Sequence, residues 1–118
     1  MVRQTFTREE RLSGKPAYDR VFREGKAFRT RCMTTLAAPN GLPHSRLGLS
    51  VGRKVGGAVR RNRIKRVLRE AWRLNKAGRA VPCDIVLIPR RDWKDVRLGN
   101  VEAEMRHILE KIDAAFSP

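Results

Sequence analysis

The stretch that decides the fold runs from Val55 to Lys76 and reads VGGAVRRNRIKRVLREAWRLNK. Within it, apolar residues recur at the i, i+3, i+4, i+7 and i+8 spacing that places side chains on one side of an α-helix. These residues are Ile64, Val67, Leu68, Ala71 and Trp72. The spacing predicts one long helix over 55–76, with an apolar stripe that packs against a core.

The opposite side of the predicted helix carries positive charge. Between Arg60 and Arg73 there are seven Arg or Lys residues against one Glu, and six of the seven are Arg. A charged helix face is most often a solvated surface, but such faces ordinarily mix signs. Arg also forms paired hydrogen bonds to phosphate, so the pattern favours a nucleic-acid partner. The residues that project away from the stripe are Asn62, Lys65, Arg66, Arg69, Arg73 and Lys76, with Arg61 and Arg63 at its borders.

The whole chain is strongly basic. Its 118 residues carry a formal net charge of +15, which indicates a polyanionic partner, either a nucleic acid or an anionic membrane surface. Residues 1–91 hold 23 Arg or Lys against 6 Asp or Glu, whereas residues 92–118 hold 4 against 6. The C-terminal part is therefore expected to be scaffold. The length suits a single domain over 1–118 with one modest core.

Membrane signals and cysteine usage favour a cytoplasmic protein. No apolar run has the length of a membrane span or of a signal sequence, so we expect a soluble chain that makes no membrane contact. Cys32 and Cys83 both lie in apolar, strand-like surroundings. This setting favours buried free thiols in a reducing compartment over a disulfide.

The N-terminal residues predict an arm and a short helix. Residues 1–13 lack sustained periodicity and are predicted to form an extended basic arm, with Phe6 as an anchor. The helix is expected to start at 13–16 and to end near Gly25. Tyr18 and Phe22 stand four residues apart on its apolar edge. They either pack in the core or stack on unpaired bases, and we favour stacking.

Two strands are predicted before the basic helix. Residues 27–38 predict a strand, bent or broken near Thr30, and the turn at 39–41 predicts a hairpin with the strand that follows. In the second strand, Leu47, Leu49 and Val51 alternate with Gly48, Ser50 and Gly52, so that one face is almost bare. Either the first helix or a ligand chain is expected to approach that face closely.

The residues after the basic helix predict a buried strand and a last helix. The continuous aliphatic run over 83–88 predicts an interior strand, parallel to 46–53 because a helix joins the two. Such crossovers are nearly always right-handed. Asn100 is predicted to cap the last helix. Its apolar stripe consists of Val101, Met105, Ile108, Leu109, Ile112 and Phe116.

Four segments in order resemble the bacterial ribonuclease P protein subunit. They are YDRVFREGK at 18–26, RLGLSV at 46–51, SVGRKVGGAVRRNRIKRVLREAW at 50–72 and DIVLIPR at 84–90. The Arg61-Asn62-Arg63 element matches the Arg-Asn-Arg signature of the family's basic helix. The resemblance implies a left-handed crossover and a protein that assists an RNA subunit in removing the 5′ leader of precursor tRNA.

The resemblance also implies which residues bind RNA. In the basic helix, Arg61, Arg63, Lys65, Arg66 and Arg69 match positions expected at phosphates of the RNA subunit, and Asn62 is expected to hydrogen-bond RNA or the neighbouring loop. Tyr18 and Phe22, with Arg53 and Lys54, match the cleft that holds the leader as an extended single strand. Thr34 stands where some members carry an aromatic residue, so one stacking platform is expected to be missing.

No catalytic constellation is visible in the chain. His44 and His107 lie in unrelated segments, and no CxxC, HxxxH or clustered carboxylate pattern offers a metal site. The resemblance implies that the RNA subunit and the Mg²⁺ bound mainly by it perform hydrolysis, while the protein needs no cofactor of its own. The expected partners are ribonuclease P RNA and precursor tRNA, with one copy of the chain in the complex.

Two alternatives to this function remain. A general ribosomal or chaperone-type RNA-binding protein would use the same basic helix, and DNA binding ranks third because no zipper or second reader helix is present. The fold expected in every case is α+β, a single domain with a mainly antiparallel sheet of about four strands packed with three helices. A βαβ crossover contains the basic helix, and the fold presents two RNA surfaces.

Overall fold

The computed structural model describes residues 7–76, 81–91, 93 and 97–117, which form one mixed sheet with helices on both faces. The strands are β1 (Lys26–Arg29), β2 (Met33–Pro39), β3 (Arg46–Leu49) and β4 (Cys83–Pro89). The helices are α1 (Lys15–Glu24), α2 (Ala58–Asn75) and α3 (Leu98–Phe116), with short 3₁₀ helices at Arg8–Glu10 and Arg53–Val55. The α+β class and the mainly antiparallel four-stranded sheet predicted from the sequence are confirmed.

The strand order is β1-β2-β4-β3. The predicted parallel pairing of β3 with β4 is confirmed, with Leu47 opposite Ile85, and α2 is the crossover between them. The handedness of that crossover stays a prediction. The predicted hairpin across residues 39–41 is wrong, because β2 pairs antiparallel with β4 instead of β3. Since β4 is apolar on both faces and buried, it occupies the centre of the sheet and separates β2 from β3.

The first strand breaks into a hairpin of its own. The Thr30 backbone N–H donates to the Met33 carbonyl at 3.0 Å and closes the turn. β1 and β2 then pair antiparallel, with Phe28 opposite Thr35. The predicted break near Thr30 is therefore a full reversal of the chain.

Alternation along the strands divides the core between the two faces of the sheet. One face packs against α2 and α3, and its centre includes Leu87 from β4 with Leu68 from α2. The other face packs against α1, where Val21 contacts the layer that holds Val86 and Leu36. Complete burial of a leucine side chain such as Leu68 contributes about 1.5–3 kcal/mol. The two layers fix both helices that carry predicted RNA contacts.

The basic helix begins later than predicted. Residues 53–55 form a separate 3₁₀ helix, and Gly56 turns the chain with φ 149°, a conformation that favours glycine. Regular α-helix runs from Ala58 to Asn75, so the prediction over 55–76 is confirmed except at its ends. Ile64, Leu68, Ala71 and Trp72 of the predicted stripe are fully buried.

The outer helices agree with the predicted stripes and differ at one cap. α1 ends directly before Gly25, as predicted. α3 buries all five predicted aliphatic residues over 101–112, and Phe116 meets Phe28 edge-to-face at a centroid distance of 6.3 Å. The prediction that Asn100 caps α3 is wrong. The helix begins at Leu98 with Arg97 at the N-cap, so Asn100 lies inside the first turn.

The N-terminal arm is attached to the sheet where the structure describes it. Residues 8–10 form a turn, Arg11 bridges to Leu47 in parallel, and Leu12 is buried. Lys76 forms an ion pair with Glu10 and so ties the arm to the end of α2. The anchoring role predicted for Phe6 lies outside the described residues.

Both cysteines are free, as the sequence predicted. Cys83 lies opposite Pro39 at one end of the sheet, while Cys32 precedes Met33 at the other end. Burial raises the pKa of the Cys83 thiol to about 11, with smaller contributions from the negative charges of Asp113 and Asp84. This thiol is therefore unreactive at neutral pH.

Candidate RNA interface

The predicted RNA contacts of α2 lie on its solvent side. We call the set Arg61, Asn62, Arg63, Lys65, Arg66 and Arg69 the basic face. Asn62, Arg63, Arg66 and Arg69 are exposed, and Arg61 and Lys65 are half-buried. Within the described part of the chain, no carboxylate forms an ion pair with any of the five cations. Their charge is therefore available to a phosphate backbone.

The remaining cations on that side of α2 are already neutralised. Arg73 pairs with Glu70, and hydrogen bonding from Arg73 lowers the pKa of the Glu70 carboxyl. Lys76 pairs with Glu10; burial raises the pKa of that carboxyl, but the hydrogen bonds from Lys76 and Thr7 hold it below its usual value. Unpaired charge is thus concentrated in the first three turns of the helix, where the Arg-Asn-Arg element lies.

Arg61 differs from its neighbours because part of its guanidinium is enclosed. Its Nε is buried and has no hydrogen-bond partner within the described residues. A buried donor without an acceptor is costly, and in native proteins it is usually satisfied by water, an ion or a ligand oxygen.

Arg60 is a residue that sequence reasoning missed as a positioning group. Its Nε donates to the Val55 carbonyl at 2.9 Å, and a terminal nitrogen donates to the Trp93 carbonyl. Its side chain lies over Gly56, where a Cβ would come within 2.5 Å of the Arg60 Cδ. The residue therefore fixes the turn that presents Arg53 and Lys54. The Gly56-Gly57 pair, followed by Arg60 in the helix, was the signal in the sequence from which this role could have been predicted.

The first helix fills the bare face of β3. The Leu49 backbone N–H donates to the Tyr18 hydroxyl at 3.1 Å. A Cβ on Gly48 would stand 2.7 Å from the Tyr18 Oη. Of the two occupants predicted for this face, the helix is the one present. Tyr18 is half-buried, so only part of its ring is available to a base.

Phe22 is the more accessible of the two predicted stacking residues. Its exposed fraction is 49%, although Val21 beside it is fully buried. The packing of the described residues does not account for the exposure of this large aromatic ring. The position therefore agrees with the predicted base-stacking role and disagrees with a core role.

The sheet surface next to α1 supplies the floor of a groove. In register, Thr34 lies opposite Ile88 on the same face as Leu36 and Val86, two residues beyond the part covered by α1. Thr34 and Ile88 are both half-buried. We call the surface formed by Tyr18, Phe22, Thr34, Ile88, Arg53 and Lys54 the leader groove. Thr34 gives this floor a hydroxyl where an aromatic ring would offer a stacking surface.

Arg53 and Lys54 lie at the end of this groove. They are exposed and follow β3 at the end where the Ser50 N–H donates to the Leu87 carbonyl at 2.9 Å. Leu87 is adjacent to Ile88, so the two cations stand at the same end of the sheet as Thr34. The structure thus brings Arg53, Lys54 and Thr34 to one end of the sheet.

The two predicted RNA surfaces meet at the β3 edge. A cavity of about 130 Å³ there is lined by Tyr18 from the leader groove and by Lys65 and Arg69 from the basic face. Arg11 also lines it, a residue that sequence reasoning left in the arm. The two surfaces predicted as separate therefore form one continuous basic region around this edge.

A buried carboxylate holds the elements of the groove together. Asp84 is fully buried and accepts hydrogen bonds from Arg46 at 2.7 and 2.6 Å, from Asn40 at 3.0 Å and from Arg20 at 3.2 Å. Burial raises the pKa of Asp84, but the hydrogen bonds from Arg46 and Asn40 and the charges of Arg46 and Arg20 hold it below its usual value. Sequence reasoning missed this role, although a lone carboxylate in an aliphatic strand was a usable signal.

The two histidines are not brought together. His44 precedes β3, with its Nε2 3.1 Å from the Glu9 carbonyl oxygen. His107 lies on α3 beside the β1–β2 turn, at the other edge of the sheet.

In the described ranges, no three His, Cys, Asp or Glu side chains form a group that could hold a metal ion. None of the described helices is long and apolar enough to cross a membrane.

These features define a small basic α+β protein whose exposed surface is built to bind the phosphates of a nucleic acid. The family model described as Ribonuclease P matches residues 6–113. The chain belongs to the ribonuclease P protein family. This assignment confirms the predicted role, the accessory protein of an RNA-based endoribonuclease that matures the 5′ end of tRNA, and with it an RNA partner in a ribonucleoprotein.

Individual relatives agree along nearly their whole length. The ribonuclease P protein component of Thermotoga maritima is 38% identical over 114 residues, covering 93% of this chain and 97% of the relative. That of Maridesulfovibrio salexigens is 38% identical over 117 residues, covering 96% and 94%. The solved Staphylococcus aureus protein superposes with a TM-score of 0.78 at 30% identity, covering 87% and 94%. The T. maritima structure gives 0.77 at 36%, covering 86% and 96%.

Proposed function

We propose that the basic face binds ribonuclease P RNA and that the leader groove binds the single-stranded 5′ leader of precursor tRNA. The observation that carries the first part is the distribution of ion pairs. On the solvent side of α2, the five cations of the basic face are unpaired, while Arg73 and Lys76 are neutralised. A helix face that served only solubility would be more stable with positive and negative side chains mixed along its whole length, whereas a phosphate-binding face requires unpaired cations.

The chemistry and the exposure of the residues in the leader groove support the second part. Phe22 presents an accessible aromatic ring, and Arg53 and Lys54 provide charge at the groove end. Aromatic stacking binds bases of any sequence, and cations track the backbone, which are the two elements of single-strand recognition. Because Thr34 replaces a ring on the floor, we propose that the leader is held with fewer stacked bases.

Hydrolysis is assigned to the RNA. The described residues offer no carboxylate set for Mg²⁺, so the donor groups present do not fit a protein-held metal. We propose that Mg²⁺ is held mainly by the RNA subunit. In this proposal the residues of this chain bind and orient the two RNAs, and the cavity shared by Tyr18, Lys65 and Arg69 supports a leader that lies beside the RNA subunit.

We propose one copy of the chain per complex, acting in the cytoplasm. The large exposed apolar side chains among the described residues are few, and they lie on separate elements of the chain; they are Phe22, Leu42, Val59 and Leu98. The free thiols of Cys32 and Cys83 suit a reducing compartment.

Reconstituted cleavage tests the proposal. The chain, its cognate RNA subunit and Mg²⁺ should cleave precursor tRNA at the mature 5′ end, whereas the chain alone should not. At limiting protein, R61Q/R66Q should need more protein for half-maximal rate, and its binding to the RNA subunit should show a salt slope lower by about 1.4–1.8. R73Q/K76Q is the matched control, since it removes two charges of the same helix that are already paired. Equal effects of the two double variants would contradict the proposal.

A further inference from the structure

A second basic cleft lies at the opposite edge of the sheet from the RNA interface described above. It is open, has a volume of about 450 Å³ and separates the β1–β2 turn from α3. We call it the α3 cleft. The charged residues that line it are Arg29, Arg31, Glu104 and Lys111, and His107 also lines it. β1 forms one edge of the sheet and β3 the other, so this cleft is remote from the junction at β3.

The cations of the α3 cleft form no ion pairs within the described part of the chain. Arg29, Arg31 and Lys111 are exposed, and none of them forms an ion pair with a described carboxylate. Glu104 is the one carboxylate among the described residues that line the cleft. It accepts hydrogen bonds from the Thr30 hydroxyl and from the Cys32 N–H at 2.9 Å. These hydrogen bonds tie the β1–β2 turn to α3.

The position of these cations is unexpected for a solvated surface. The segment 92–118 carries more acidic than basic residues, yet Lys111 of α3 lines the concavity together with Arg29 and Arg31. Like charges gathered in a concave site repel one another and raise the local positive potential. That arrangement is stabilised when an anion binds between them.

We propose that the α3 cleft binds a phosphate of an RNA backbone as a third contact, so that α3 is more than scaffold. The inference rests on the proposed RNA-binding function. Paired guanidinium groups match phosphate oxygens, and an open cleft admits a continuous chain where an enclosed pocket would admit only a small anion. The location at the β1 edge means that a strand bound here is separate from the leader.

Two matched double variants test the inference. R31Q/K111Q removes one cation from each wall of the cleft, and R8Q/R106Q removes two exposed cations that lie in none of the surfaces described. Affinity for the cognate RNA subunit and for precursor tRNA is measured over a KCl series. R31Q/K111Q should weaken binding to one of them on the order of ten-fold and lower its salt slope by about 1.4–1.8. R8Q/R106Q should change affinity less than about three-fold, and the charge-preserving swap R31K/K111R should keep the wild-type salt slope.

The outcomes separate this inference from the proposed function. Thermal melts must show that R31Q/K111Q folds as the wild type does, which its exposed positions predict. If both double variants behave alike, the α3 cleft is not an RNA contact. Binding of inorganic phosphate at the cleft without any effect on RNA affinity would also overturn the inference, since it would mark a free-anion site. R61Q/R66Q in the same assay reports on the basic face independently.

Discussion

Replacing Asp84 by Asn should destabilise the chain more than any substitution of an exposed charge. The carboxylate is fully buried, and its donors come from α1, β3 and the loop before β3. Breaking a buried ion pair by removing one partner costs about 3–5 kcal/mol. Here the side chains of Arg20 and Arg46 keep 35% and 32% exposure and regain some water, so we expect about 2–4 kcal/mol.

A loss of this size is a large part of the free energy of unfolding of a small domain, which is typically 5–15 kcal/mol. Urea unfolding at pH 7 should show a lower midpoint with an unchanged slope, and the melting temperature should fall by roughly 10 °C or more. D84A should be at least as severe, since it also leaves a cavity. Stability equal to wild type would refute the reasoning that this carboxylate holds the three elements together.

The same residue predicts a pH dependence. Because the pKa of Asp84 is lowered in the folded chain from its ordinary value of 3.8, the ionised carboxylate stabilises the fold above that pH. The contribution is lost as the pH falls from 3.8 through the folded-state pKa. Wild type should therefore lose more stability than D84N over this range, and the two unfolding curves should converge. A difference that stayed constant with pH would contradict the assigned cause.

Three further substitutions test single contacts. F22A should cost little stability because the ring is half exposed, yet weaken precursor tRNA binding by about 1–3 kcal/mol while sparing mature tRNA; equal loss for both RNAs would show that Phe22 does not meet the leader. G48A should destabilise the fold by about 1–3 kcal/mol, because its Cβ would lie 2.7 Å from the Tyr18 Oη. Calorimetry should show that G48A costs less stability in a Y18A background. T35V should leave stability unchanged or raise it by about 1 kcal/mol, since the buried Thr35 hydroxyl has no hydrogen-bond partner among the described residues; a loss above 1 kcal/mol in urea unfolding would indicate a bound water.

Patterns that repeat along the chain predicted the helices well. The stripe of α2 has a helical period over five residues, and its burial and its opposite basic face follow from that period alone. The Tyr18 contact with Gly48 was foreseeable as a close approach, but only the packed helix shows which group makes it. The Arg-Asn-Arg element could be recognised in the sequence because its three residues are consecutive, and its position indicated where the basic face lies.

Features set by distant residues could not be predicted in the same way. The turn at 39–41 reads locally as a hairpin, yet β4, more than forty residues later, takes the place beside β2. Asp84 looks like an isolated charge until Arg20, Asn40 and Arg46 are brought around it. The ion pairs of Arg73 with Glu70 and of Lys76 with Glu10 set the limit of the basic face. They likewise depend on side-chain geometry and on the position of the arm.

The strand that completes the sheet is also the last strand to be synthesised. β4 lies between β2 and β3, so neither of those strands has its central neighbour until Pro89 has left the ribosome. Until then α2 has no finished layer against which to bury Leu68 and Trp72. Until β4 inserts, a nascent chain of this protein therefore carries its many cations on an incomplete sheet, in an environment rich in RNA.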